Sequence, residues 1–224
     1  MKIKFLAFLF VAVFTASYAQ AQFKIGARAG LNLTTMSVDA EGVKMKPGFQ
    51  IGVAGDYALG DAFSIQPAIL FSTQGCKVDY KGEYMGVKVE TKGAYHLNYI
   101  QLPVHAQYKI DLGGMKLLLQ AGPYLGYGLG GKMNLENIRG GEKSSDKFDI
   151  KMGSSKDNQY KALDFGLGFG AGLQFGNLQV ALGYQTGFVD LINSKWVEAQ
   201  PVKIEHKKVN NSGFSLSLTC LFGK

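Results

Sequence analysis

Leu163-Asp164-Phe165-Gly166-Leu167-Gly168-Phe169-Gly170-Ala171-Gly172-Leu173-Gln174-Phe175 alternates without a break. Every odd position is apolar and nearly all are large, while every even position is Gly, Asp or Gln. Side chains of a strand point alternately to opposite faces, so a period of two is a strand signal. An ordinary soluble strand would carry Lys, Glu, Thr and Ser on its second face. Here that face is mostly glycine, which weakens a strand unless space is short. The inside of a narrow closed barrel is such a place.

The same pattern recurs along the chain. A first strand, FKIGARAGLNLT, sets Phe23, Ile25, Ala27, Ala29, Leu31 and Leu33 against Lys24, Gly26, Arg28, Gly30 and Asn32. GFQIGVAGDYAL turns Phe49, Ile51, Val53 and Tyr57 outward and Gln50, Ala54 and Asp56 inward. FSIQPAILFSTQ, YIQLPVHAQYKI, MKLLLQAGPYLGYGLG, LQVALGYQTGF and GFSLSLTCLF complete the set. The expected fold is all-β: an eight-stranded antiparallel up-and-down transmembrane β-barrel.

Each run covers about ten to fifteen residues, longer than a typical soluble strand and close to what a tilted strand needs to cross a bilayer. Tight turns near Gly60, Gly113 and Gly176 alternate with four long polar links, expected as loops at 35–47, 76–93, 131–160 and 190–211. Short turns at one end and long loops at the other are the arrangement of outer-membrane barrels. The outward aromatics form two sets: Phe23, Tyr57, Phe63, Tyr108, Phe175 and Phe222 at the turn end, and Phe49, Phe71, Tyr127, Phe165, Phe188 and Phe214 at the loop end. Aliphatic residues lie between, as a bilayer with two interfaces selects.

The first 21 residues read as a signal peptide: a basic MKIK, an apolar FLAFLFVAVF and small residues up to Ala21. Residues 22–224 are then one barrel domain. The net charge of +7 is spread over Gly- and Ser-rich stretches, where solvated loops or anionic headgroups are the natural partners. No basic helix or aromatic–basic module points to nucleic acid. Cys76 and Cys220 fall at opposite ends of the barrel and are expected to be free.

The leader ending in AQAQ, the opening FKIGARAGLNLT and the central NYIQLPVHAQYKI resemble the outer-membrane β-barrel family often labelled porin family protein. A Y-I/L-x-I/L-P-L stretch common in its fourth strand is matched by Tyr99, Ile100, Leu102 and Pro103, with Val104 in the last place. The resemblance implies an eight-stranded barrel in the outer membrane of a diderm bacterium and carries over no catalytic residues. Barrels of this kind often end on an aromatic that the barrel-assembly machinery recognises, whereas here Phe222 is followed by Gly223 and Lys224.

Chemistry elsewhere is sparse. The three His are isolated and no metal spacing is present, so neither metal nor cofactor is expected. The Gly-rich stretches lack the following helix that a phosphate loop requires. A lipid A-modifying enzyme would need a His, Ser and acid near the outer leaflet, for which His96, His206, Ser144, Ser145, Ser194 and Asp190 are available. The inward face carries Lys24, Gln107 and Gln174 and a polar cluster of Arg28, Asp56, His105, Gln120 and Asp164, expected as a satisfied plug with Arg28 paired to Asp56. The expected function is non-enzymatic: a monomeric barrel in contact with outer-membrane lipid and lipopolysaccharide, with surface loops for envelope integrity or surface interaction. The alternatives are passive transport of a small solute and lipid A enzymology.

Overall fold

The computed structural model describes residues 23–37, 42–84, 87–139, 142–200 and 208–223. The leader and His206 lie outside them. The chain forms β1 (Phe23–Ser37), β2 (Val43–Ala58), β3 (Phe63–Gln74), β4 (Cys76–Tyr84), β5 (Val87–Asp111), β6 (Lys116–Arg139), β7 (Glu142–Ile150), β8 (Leu163–Phe175), β9 (Leu178–Gly187), a one-turn helix α1 (Ser194–Glu198) and β10 (Asn210–Phe222). Eight strands, β1-β2-β3-β5-β6-β8-β9-β10, form the ring, every neighbouring pair antiparallel. β10 closes it on β1, from Ile25↔Phe222 to Ser37↔Asn210. Closure matters because hydrocarbon offers no hydrogen-bond partner to an open edge.

The alternation sets the facing. Phe165, Leu167, Phe169 and Phe175 are exposed on the outer wall, while Asp164, Gly166 and Gly168 are buried inside it. Both aromatic bands are built of cross-strand neighbours. At the turn end Phe63 stacks on Tyr108 with ring centroids 4.8 Å apart; at the other end Phe49 meets Phe71 at 5.9 Å and Phe165 meets Phe188 at 6.0 Å. The tight turns follow their chemistry: Gly113 and Gly176 adopt φ of 76° and 56°, and Asp111 accepts a hydrogen bond from the Gly113 N–H.

Three of the four links expected as loops are largely sheet. β1 and β2 continue to Ser37 and from Val43; β4 and β5 form a hairpin over 76–93; β6 runs on to Arg139 and pairs with β7. β5 has 25 residues. At about 3.3 Å per residue it spans roughly 80 Å, far more than a tilted strand needs for a core about 30 Å thick. The excess stands outside as a five-stranded extension, β2-β4-β5-β6-β7. Charges on its solvent side hide its strand pattern. A bulge at Leu129, where Asn98 faces Gly130 but Tyr99 faces Gly128, shifts the facing of β6 by one residue at the base of the extension.

Leu182 sits halfway up the lipid-facing wall between Ala171 and Leu216, with 66% of its surface exposed. Replacing it by Arg is expected to destabilise the folded barrel by about 2–4 kcal/mol, the cost of a cation at mid-bilayer. Asn134→Arg, on the extension, is expected to change stability by less than about 0.5 kcal/mol. Denaturant titration of both variants in lipid vesicles checks this.

Candidate functional site

The turn-end half of the lumen is filled by one amide network. The Gln66 carbonyl accepts from Gln107 at 3.0 Å and from the Arg28 guanidinium, and its N–H donates to Gln179 at 2.9 Å. Gln107 donates on to Gln120 at 2.9 Å, Gln179 to Gln174 at 3.1 Å, and Arg28 Nε to Thr219 at 2.8 Å. These side chains come from β1, β3, β5, β6, β8, β9 and β10, so the network spans the axis. β2 contributes Asp56, which pairs with Lys109 of β5 at 2.6 Å, both side chains less than a tenth exposed.

Two inward glycines of β8 are recesses for long side chains arriving from other strands. A Cβ on Gly168 would stand 2.9 Å from His105 Nε2, and one on Gly170 would stand 2.8 Å from Gln120 Nε2. Above the network lies a cavity of about 40 Å³ between Arg28, Gln50, Gln101, His105, Gln120 and Ser217.

The loop-end half is closed differently. The Asp164 carboxylate accepts from the Tyr124 hydroxyl at 3.2 Å and the Asn211 amide at 3.0 Å; Asn211 also donates to the Tyr99 hydroxyl at 3.3 Å. Over this belt sits an apolar cap of Met36, Cys76, Leu97, Tyr99, Ile150, Leu191 and Val209, with Met152 and Tyr160 packed against it. The segment after β7 supplies Met152, whose sulfur takes up the space in front of Gly128. Asp190 holds the fourth link in place by accepting from the backbone N–H of Ile192 and Val209. Burial pushes the Cys76 thiol up to about 11, and both Cys76 and Cys220 are free.

Of the cluster expected from sequence, Arg28, Asp56 and Asp164 are buried and His105 and Gln120 are partly buried, all on the lumen side. They do not form one group. Asp56 belongs with Lys109, Arg28 and Gln120 with the amide network, His105 with the cavity, and Asp164 with Tyr124 and Asn211. The expected Arg28–Asp56 pair is therefore replaced: Asp56 takes the Lys109 ammonium, and Arg28 turns to neutral acceptors. Lys109 occupies an inward position by the same alternation that places Asp56, a signal that sequence reading passed over. The cap was also missed. Its signal is the change on the inward face of β5 from Gln101, His105 and Gln107 to Leu97 and Tyr99.

Among the described residues the candidate hydrolase residues do not converge. His96 stands beside Lys132, which faces Asp149, while Ser144 and Ser145 lie further out opposite Asn137 and Glu136. Ser194 opens α1, whose N-cap is Asn193. Among the described residues no cluster of His, Cys, Asp and Glu could hold a metal ion.

On the solvent face of the extension, Lys44 pairs with Asp79, Lys81 and Lys92 with Glu90, and Lys143 with Glu136. Lys77, Lys132 and Lys147, nearer the membrane and exposed, join no ion pair among the described residues. Hydrogen bonds from Lys44, and from Lys92 and Lys81, hold the Asp79 and Glu90 carboxyls below their ordinary values. Depressed carboxyl values stabilise the hairpin fully above the unfolded range near 4, and the contribution is lost as pH falls through the folded values.

Amide exchange in the β4–β5 hairpin is accordingly expected to accelerate as pH drops below about 4, beyond the intrinsic trend, and Glu90→Gln to abolish part of that response. Inside the barrel, Lys109→Met leaves Asp56 charged and unpaired and is expected to cost about 3–5 kcal/mol, with Asp56→Asn added to it restoring part of the loss. Urea titration of both variants against the wild type checks the pair.

No curated protein matches this chain. Among solved structures it is similar to Ail, the attachment invasion locus protein of Yersinia pestis (14% identity, 90% of this chain and 99% of that one, TM-score 0.39). It is also similar to Neisserial surface protein A (17%, 89% and 96%, TM-score 0.42) and to OprG from Pseudomonas aeruginosa (13%, 91% and 96%, TM-score 0.43). The family model for the outer membrane protein beta-barrel domain matches residues 18–193. With its closed eight-stranded wall and two aromatic bands, the chain belongs to that outer-membrane β-barrel family.

Proposed function

We propose that the protein is a non-enzymatic, monomeric surface barrel of the outer membrane that anchors a rigid β-extension at the lipopolysaccharide layer, serving envelope integrity or surface interaction. The observation that carries this reading is the sealed lumen. Among the described residues an amide network fills one half and an apolar cap covers the other, with a cavity of about 40 Å³ between them. Eight-stranded barrels have room for side chains or one small ligand, whereas aqueous channels need about 16 strands. The dispersed His and Ser residues support the non-enzymatic part of the reading.

The lysines that join no ion pair among the described residues support lipopolysaccharide as the partner. His96 lies four residues outward of Ile100, which faces Tyr127 of the aromatic band. That is about 13 Å along the strand and roughly 10 Å in height after the tilt, at the level of headgroup phosphates. At this level lies an open groove lined by His96, Asn98, Lys132 and Asn134. Lys77 and Lys147 lie on the next cross-strand row outward, through Ala94 and Asn134. Lys81, Lys92 and Lys143, further out, pair with neighbouring carboxylates.

Refolded protein in planar bilayers is expected to show no stable conductance, and stable salt-dependent steps would instead favour solute transport. Lys77→Gln, Lys132→Gln and Lys147→Gln together are expected to weaken binding of purified lipopolysaccharide about a hundredfold at low salt, at about 1 kcal/mol per lysine. The loss should shrink as salt rises. Unchanged binding would remove lipopolysaccharide phosphate as the partner of this face.

A further inference from the structure

The mid-lumen cavity has an unusual lining. Its walls carry a guanidinium, five amide or imidazole side chains (Gln50, Gln101, His105, Gln120, Gln185) and the hydroxyls of Ser215 and Ser217, but no carboxylate. Arg28 is 6% exposed, and its two hydrogen bonds go to neutral oxygens, Thr219 Oγ1 and Gln66 Oε1. Asp56, whose charge reaches Arg28, is shared with the Lys109 ammonium it pairs with; Asp164 accepts from Tyr124 and Asn211; and neither carboxylate lines the cavity. Two buried cations, Arg28 and Lys109, thus share one carboxylate, and a buried charge left uncompensated costs several kcal/mol.

A second, independent feature points into the same space. Gln101 is 3% exposed, and its Nε2 has no partner among the described residues. Gln120 spends its carbonyl on Gln107, which leaves its amide N–H groups for the space in front of Gly170, where Nε2 lies. The groups turned toward the cavity are thus mainly donors, arriving from β1, β5 and β6. At about 40 Å³ the space holds one or two water-sized bodies.

We propose that this cavity is a binding site for a single small monovalent anion of the halide class, held between Arg28 and the Gln101 amide with Gln120 beside it. The anion supplies the second negative charge that Arg28 and Lys109, sharing Asp56, lack, and it accepts from Gln101 Nε2, which has no partner among the described residues. Polyatomic anions with bulky groups are excluded by volume. The seal at both ends means that the ion is captured as the barrel closes and leaves only when the wall opens.

The test uses the whole mature barrel, refolded in a zwitterionic detergent, and urea as denaturant so that no competing halide is added. Midpoints are compared in sodium chloride, sodium bromide and sodium gluconate at equal ionic strength. In the wild type the midpoint is expected to rise with the logarithm of halide concentration above the binding constant and to stay flat in gluconate. In Arg28→Gln the halide dependence is expected to vanish. Crystals of the wild type grown from bromide are expected to show one anomalous peak inside the cavity. If Arg28→Gln does not refold, Gln101→Leu takes its place, with a weakened halide response expected. Crystals grown from bromide that show only water in the cavity would overturn the proposal. So would an equal halide response in wild type and variant, which would be a general salt effect. Neither outcome touches the surface reading, because the lumen is filled by the same side chains whether the cavity holds an anion or water.

Discussion

Every backbone N–H and C=O between the two aromatic bands faces a solvent that cannot hydrogen-bond it, so the sheet has to close on itself. The seam between β1 and β10 is where that demand is met, over thirteen residue pairs from Ile25↔Phe222 to Ser37↔Asn210. Closure with eight strands fixes a narrow radius, and the radius fixes what the inside can hold. The glycines of β8, the long glutamines opposite them and the small mid-lumen space all follow. Gly168 and Gly170 are where β8 lacks side chains, and His105 and Gln120 reach across from β5 and β6 to occupy that space.

The interior solves its polarity in layers. A carboxylate and an ammonium, Asp56 and Lys109, meet near the turn end, where the neighbouring turns bring water close. Next come amides, which donate and accept at once and can be linked in chains across the axis without net charge. Gln66 has bonds to Arg28, Gln107 and Gln179, which makes it the junction of that layer. A chain of this kind is worth more satisfied than its members separately, and it fails badly when one is removed. At the loop end the inward face changes to Leu97 and Tyr99, and the structure builds a small hydrophobic core outside the bilayer. The chain needs that core because the extension must stand in water without a membrane to bury its inner face.

Strand number, wall topology and lipid face were legible in the sequence, because a bilayer forces the same alternation on every wall strand. Leu163–Phe175 alone carries the argument, and the aromatic pairs Phe63–Tyr108 and Phe49–Phe71 agree with it. Beyond the outer band the constraint lapses. In 76–93 and 131–150 charges replace the large apolar residues on the outer face, so the strands of the extension read as loops until the backbone pairs are seen. The Leu129 bulge was hidden for another reason: a one-residue slip leaves no mark in composition, only in register. Pairing inside the lumen was only partly legible. Alternation says which residues point inward but not how they are arranged around the axis, and Arg28 and Lys109 compete for one Asp56.

The arrangement separates two jobs that a single sheet could otherwise confuse. Below the outer band, specificity is directed inward, and the lipid face is generic: Leu, Ile, Val and aromatics that any bilayer accepts. Above it, the polarity of the wall inverts. The inner face becomes apolar, through Met133 and Tyr95 packed on the cap, and the outer face becomes charged. The inversion on β6 coincides with the Leu129 bulge, because β6 can change facing only by gaining a residue relative to β5. Without that extra residue, Lys132 and Asn134 would turn toward the axis and Met133 toward water. The charged face at headgroup height and the apolar cap over the lumen therefore rest on the same local irregularity, and the membrane boundary of this barrel is written in its register as much as in its composition.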